Sequence, residues 1–143
     1  MVDDVKEVVA AVVKLRERLL LIQRAWDDSY GGTWCFPGGK REDFDLSIED
    51  AARRELREET GLIAADVELL ETRTVNGYVV HLVFVKAWRG RIRLEGDETV
   101  GAGWFISPEM SSLDLAPMLR DVILKAPKEL RDRESTCRNE RGY

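Results

Sequence analysis

The chain reads as an α/β protein with a mixed β-sheet between helices, and three observations predict this. The run Val8–Val13 is apolar and continuous, the length of a buried strand rather than of a helix. Two β-rich segments, Val67–Val75 and Tyr78–Trp88, flank Asn76-Gly77, the strongest short hairpin signal because both residues tolerate the positive φ of a two-residue turn. Between the first run and these segments, Ile48–Thr60 carries a helical pattern.

Taken in order, Glu7–Leu15 is expected as a buried strand, Arg16-Glu17-Arg18 as a polar turn and Leu19–Ile22 as a second short strand. A loop rich in Asp, Ser and Gly (Asp27–Gly32) precedes Trp34-Cys35-Phe36-Pro37-Gly38-Gly39. Ser47 is a good N-cap for the helix, and Asp50 three residues later completes a capping-box-like pair. Gly61 suits a left-handed C-terminal cap, and Ile48, Ala51, Ala52 and Leu56 can share an inward face. Tyr78–Trp88 is apolar on both faces, which predicts a central strand covered on both sides. Trp104–Ile106 is expected as a last short strand, Ser107-Pro108 as the start of a short helix, and Ala116–Lys125 as a closing helix. The reading is one domain over residues 1–143, with a core at about 5–126 and a charged tail, 127–143, expected to be partly flexible and without chemistry.

Composition narrows the function. With 44% hydrophobic and 34% charged residues among 143, the chain has the balance of a globular protein able to bury a core. An acidic start and a six-residue apolar stretch argue against a secretory signal and against a membrane span of roughly 20 residues, so a cytoplasmic protein is expected. Cys35 and Cys137 lack paired spacing and read as free thiols. With His81 the only histidine, neither a histidine zinc site nor a serine–histidine triad is readily assembled; inside an apolar run it reads as a satisfied sheet residue. The net charge of −5 argues against nucleic-acid binding. An acidic protein that handles an anionic substrate needs a cation between them.

Glu55, Glu58 and Glu59 stand at i, i+3 and i+4, so a helix places three carboxylates on one face. Their mutual repulsion is relieved by a hard divalent cation, and oxygen ligands are what magnesium prefers. The same helix also holds the opposite-charge pairs Glu49–Arg53, Asp50–Arg54 and Arg54–Glu58, which fit a merely solvated, salt-bridged face. The Pro37-Gly38-Gly39 turn upstream, which brings bare backbone close to other groups, raises the metal-site reading to equal standing, and the residues alone leave both open.

At this point the chain resembles the Nudix hydrolase family. The likeness is carried by Gly39-Lys40-Arg41-Glu42 and by Arg54-Glu55-Leu56-Arg57-Glu58-Glu59-Thr60-Gly61-Leu62, which matches the second half of the family's box at every specified position; it covers roughly residues 5–126. One departure stands out. Asp45 lies six residues after Gly39, where the pattern has a glutamate, but Arg54 lies nine residues after Asp45 instead of eight. The loop is one residue longer, and the box glutamate is missing or replaced by Asp45.

The resemblance implies an α/β/α sandwich and hydrolysis of a pyrophosphate bond in a nucleoside diphosphate derivative. It implies Mg2+, or Mn2+ in its place, held by Glu55, Glu58, Glu59 and the Gly39 carbonyl. Arg54 would orient a glutamate, and the general base would be a helix glutamate or Glu98, with Glu95 and Asp97 nearby. Arg24 would meet phosphate or stand as a strand-end charge, Lys40 would give the substrate electrostatic support, and Trp34 either stacks on a base or packs. The segment Trp34–Lys40 looks like members of the MutT type, which hydrolyse nucleoside triphosphates, including oxidised ones. ADP-ribose or a nucleotide sugar is the alternative substrate, with base recognition near Leu115–Arg120. A non-catalytic nucleotide-binding module and an isoprenoid diphosphate isomerase using Cys35 are the competing classes; the three retained glutamates weigh against both. Small-molecule nucleotides are the expected partners, with neither nucleic acid nor membrane, for a monomer or a homodimer.

Overall fold

The computed structural model describes residues 6–26, 31–94, 96–117, 119–120, 130 and 132–139. The order is β1 (Lys6–Val12), β2 (Lys14–Leu15), β3 (Arg18–Arg24), β4 (Trp34–Cys35), β5 (Gly38–Lys40), α1 (Ile48–Thr60), β6 (Ile63–Val75), β7 (Tyr78–Arg89), β8 (Thr99–Phe105), α2 (Ser107–Met110) and β9 (Thr136–Cys137). The class is α/β, as expected, but the strands form two sheets rather than one.

The first sheet runs β5-β1-β7-β6, with β9 also on β7; it is mixed, since β1 and β9 lie parallel to β7 while β5 and β6 pair antiparallel. The second is antiparallel, with β3 paired to β2, β4 and β8. The division falls at Val13. Its side chain is as apolar as its neighbours, so the run Val8–Val13 shows no seam, yet β1 ends at Val12 and β2 begins at Lys14 in the other sheet.

β7 is the central strand, as its two apolar faces predict. Val83, Val85 and Trp88 pack with Ala51, Ala52 and Leu56 of α1, while Leu82 and Phe84 pack on the other side with Leu21, Phe36, Met110 and Leu119. Burial of this α1 stripe is what holds the charged helix to the sheet; losing a fully buried leucine such as Leu56 to alanine costs about 2–5 kcal/mol. The Asn76-Gly77 turn has both residues at positive φ, 49° and 82°, as the hairpin requires.

Several boundaries differ from the sequence reading. The second strand extends to Arg24, and β6 starts at Ile63 rather than Val67, because register shifts along β6 scramble the alternation on which strand periodicity depends. The last strand starts at Thr99 rather than Trp104: Gly101-Ala102-Gly103 offers no apolar pattern, and its strand character comes from pairing with Leu21–Gln23. β4 and β5, two and three residues long, are too short for any period to register. Pro117, Leu119 and Arg120 are helical, and residues 121–125 of the closing helix lie outside the described residues, as do Asp27–Tyr30 and Glu95.

The tail departs from the expectation of a flexible segment over its described part. β9 continues along β7 at Ala87 and Trp88, beyond the point where β1 leaves at Phe84. Ser135 fills the gap between them: its hydroxyl donates to the Val85 carbonyl (2.6 Å) and accepts the Lys14 N–H (2.8 Å). The Asn139 amide then pairs with both backbone groups of Gly90, at 2.7 Å each. His81 is buried in the sheet between Thr72 (2.8 Å) and Glu7 (3.1 Å), a satisfied residue as read. Cys35 and Cys137 are free thiols. Among the described residues no helix is long and apolar enough to cross a membrane.

Candidate active site

The site is built where the edge strand β5 meets α1. Ser47 caps the helix, its hydroxyl accepting the Asp50 N–H at 3.0 Å, and Gly61 closes it at φ 83°. That register, with Ala51, Ala52 and Leu56 inward, leaves Glu55 and Glu59 half-buried against β5 and Glu58 exposed. β5 pairs with β1 through Gly39 opposite Val9, and Gly38 is sterically required against the Val9 backbone. A Cβ on Gly39 would lie 2.8 Å from the Glu55 carboxyl group, and one on Gly38 would lie 2.1 Å from the Val9 carbonyl oxygen. The Gly38 N–H donates to Glu59 at 2.6 Å.

Arg54 ties these pieces together. Its Nε and Nη2 donate to the two Asp45 oxygens, each at 2.9 Å, and Nη2 also reaches the Lys40 carbonyl at 3.1 Å. Nη1 donates to Glu55 at 3.0 Å and Glu58 at 3.2 Å. Asp45 thus stands as the acidic partner of Arg54, and the longer loop does not prevent the bidentate pair. Hydrogen bonding from Arg54 holds the Asp45 carboxyl below the usual carboxylate range, against its burial.

The electrostatics of the two inner glutamates run the other way. Burial raises the Glu55 pKa, only partly offset by Arg54. Burial, reinforced by the charges of Glu55 and Glu98, pushes Glu59 up to about 8 in spite of the Gly38 N–H and Arg24. These carboxylates are short of positive charge. Among the described residues no three acidic, histidine or cysteine side chains converge on one point as they stand; the Arg54 guanidinium lies against Glu55 and Glu58, and the Gly38 N–H engages Glu59. The expected set of Glu55, Glu58 and Glu59 is therefore on one side of one helix but not closed.

Against the Gly38–Gly39 backbone lies a cleft of about 260 Å³, walled by apolar groups from Val8, Ala10, Phe36, Val80, Ala116 and Leu119, with Arg24, Cys35 and Lys40 also lining it. Arg24 hydrogen-bonds Cys35, whose thiol is pushed up to about 11 by burial and by the Glu59 charge. The backbone carbonyl of Glu98 accepts the Ala25 N–H at 2.9 Å, which fixes the β8 approach loop beside Arg24, and the Glu98 charge is felt at Glu59. The structure thus gathers Arg24, Gly39, Lys40, Glu55, Glu59 and Glu98 about one edge of the sheet, with Arg54 and Glu58 at its rim. Trp34 is not part of that group. It precedes Cys35 in β4 and so faces the other way, packed edge-on to Phe105 at 5.1 Å and beside Gly101. Sequence reasoning missed Gly38, although the paired glycines signalled it, and the walls Phe36 and Val80, whose role depends on the way the sheet folds.

A family model described as the NUDIX domain matches residues 5–125. CTP pyrophosphohydrolase of Escherichia coli strain K12 is 42% identical over 78 residues, 53% of this chain and 57% of that protein. ADP-ribose pyrophosphatase of Methanocaldococcus jannaschii is 31% identical over 102 residues, 68% of this chain and 59% of that protein. The matches thus span less than two thirds of either relative's own length. Among solved structures, a MutT NUDIX hydrolase from Burkholderia pseudomallei superposes with a TM-score of 0.74 at 25% identity, covering 87% of this chain and 99% of that one.

Proposed function

The chain belongs to the NUDIX domain family, and on that premise we propose that it is a divalent-metal-dependent pyrophosphohydrolase whose substrates are nucleoside triphosphates, oxidised ones included. One observation carries the reading: two half-buried carboxylates, Glu55 and Glu59, close on the Gly38–Gly39 backbone, and the same backbone lines an apolar cleft with cationic groups. An anionic phosphate chain and an apolar base have complementary places along that backbone.

The donor set fits a hard cation. All its atoms are oxygens, and the raised pKa values of Glu55 and Glu59 mark a place where added positive charge is stabilising. Glu55, Glu58, Glu59 and the Gly39 carbonyl would hold Mg2+ or Mn2+. When bound, such an ion neutralises charge on phosphate oxygens and lowers the pKa of a coordinated water.

The remaining work falls to the protein's own groups. Arg24 and Lys40 offset the phosphate charge from the cleft side. Arg54 orients Glu55 and Glu58. Glu98, beside Glu59 on the β8 approach, takes a proton from the attacking water as its oxygen bonds to phosphorus and the bridging P–O bond breaks, releasing the nucleoside monophosphate. Phe36, Val80, Ala116 and Leu119 receive the base and keep water from it. The name of the Methanocaldococcus relative favours ADP-ribose as the second reading.

A panel of the four nucleoside triphosphates, 8-oxo-dGTP, ADP-ribose and nucleotide sugars, each with Mg2+ or Mn2+, tests the proposal. Triphosphate turnover is expected to lead, and Glu59→Gln to lower it by about 100-fold or more. A wild-type protein inactive on every compound sinks the hydrolase reading. Preference for ADP-ribose replaces the substrate, and full activity in Glu59→Gln removes the site.

A further inference from the structure

We infer that Asn139, in the C-terminal segment, is a positioning residue for the loop that carries Glu98; the inference rests on the general-base reading of Glu98 above.

The loop joins the end of β7 at Arg89 to the start of β8 at Thr99. Among the described residues, hydrogen bonds hold it at its root, its middle and its far end. At the root, the Asn139 amide takes both backbone groups of Gly90: Oδ1 accepts the N–H and Nδ2 donates to the carbonyl, at 2.7 Å each. In the middle, the Arg93 N–H donates to the Thr60 carbonyl at 2.6 Å, which lays the loop against α1 one residue past Glu59. At the far end, the Glu98 carbonyl accepts the Ala25 N–H at 2.9 Å. The last two clamps are backbone to backbone. Only the first is made by a side chain, so it is the one that a substitution removes.

Packing does not fix the root. A cavity of about 230 Å³ lies against Gly90, Arg91 and Ile92, its other walls being Leu62, Trp88 and Trp104. Ile92 and Leu94, the apolar side chains of the loop, are both exposed. A segment that stands over a void lacks the dispersion contacts that would hold it, so hydrogen bonds set its place. Gly90 adds to the need for a clamp: it sits at φ 99°, and a glycine released there has wide conformational freedom. Asn139 is itself well placed to supply one. β9 pairs with β7 at Ala87 and Trp88, and the Arg138 N–H donates to the Trp88 carbonyl at 2.7 Å, so the amide reaches Gly90 from a continuation of the sheet. Displacement at the root matters because the Glu98 charge is felt at Glu59, and a shift of about 1 Å at a reacting group can cost about 100-fold in rate.

Two measurements test this: kinetics with Mg2+ on the nucleoside triphosphate that the wild type turns over best, and amide hydrogen exchange of the ion-free protein. Asn139→Ala is expected to lower kcat about 10-fold with KM within about twofold of wild type. In a Glu98→Gln background the same change is expected to cost less than about twofold, because the group it positions is already gone. Exchange of the Ala25 N–H, whose acceptor is the Glu98 carbonyl, is expected to quicken about 10-fold in Asn139→Ala. Asn139→Asp keeps the acceptor for the Gly90 N–H and loses the donor, and its kcat is expected between those of wild type and Asn139→Ala. Arg138→Gln, whose side chain lines a separate cleft beside Lys86 and Arg133, is expected to stay within about twofold of wild type. An equal loss of kcat in both backgrounds, or a rise in KM alone, overturns the action through Glu98. Wild-type exchange at Ala25 in Asn139→Ala overturns the passage of the restraint along the loop. Full activity in Glu98→Gln overturns the general-base reading, and a wild type without turnover overturns the hydrolase reading; each is a separate result.

Discussion

At the level of single residues, the site rests on a conflict between charge and burial at Glu59. Its folded pKa of about 8 lies above the ordinary 4.5, so the folded, ion-free chain holds this proton more tightly than the unfolded chain does. The stability it contributes is full below about 4.5 and is lost as pH rises through about 8. In chelator, the melting temperature is therefore expected to fall between pH 6 and pH 9; Glu59→Gln should flatten that slope, and Mg2+ should restore the loss at pH 9. An unchanged slope in Glu59→Gln would show that the carboxyl is better solvated than its surroundings imply. Much of this was legible beforehand, because the spacing of Glu55, Glu58 and Glu59 depends only on helical geometry. The direction of Trp34 was not: its strand is two residues long, and which way it faces is decided by pairing with Gln23.

Among the elements, α1 is the one whose limits coincide with the sequence reading at both ends. Its signals are chemical and local: a hydroxyl that accepts the Asp50 N–H, and a glycine that adopts positive φ. Replacing Ser47 with alanine leaves that N–H without its acceptor and should cost about 1 kcal/mol in urea unfolding. The same change is expected to disturb Mn2+ binding only slightly, since the Asp45–Arg54 fork anchors the loop independently. β8 illustrates the opposite case. Two glycines and an alanine carry no apolar period, and Gly103 leaves room for the Phe105 ring, 3.0 Å from where its Cβ would be. Such a strand exists because β3 offers it backbone partners, which is long-range information that no local window holds.

For the molecule as a whole, the unforeseen feature is the seam between the two sheets and the segment that closes it. A charged composition made the tail look dispensable, yet one hydroxyl in it satisfies backbone groups of two distant strands. Ser135→Ala would leave the Lys14 N–H and the Val85 carbonyl buried without that partner, at a cost of about 1–3 kcal/mol. The check is denaturant unfolding beside Glu134→Gln, whose carboxylate makes a 3.5 Å contact to Lys14 from an exposed position and should matter much less. Equal losses in the two variants would deny Ser135 its place at the seam.

The parallel pairing of β1 with β7 also fixes an order of events. Val8 lies opposite Val80, so β1 is made early and acquires the central strand β7 as its neighbour only after about seventy further residues. The β6–β7 hairpin, joined by two residues, needs no such wait and offers the edge on which β1 settles. At the usual pace of synthesis, about 5–20 residues per second, the apolar run Val8–Val13 spends several seconds without its partner. For that interval the chain depends on whatever shields a nascent hydrophobic segment, and a slower ribosome lengthens the exposure.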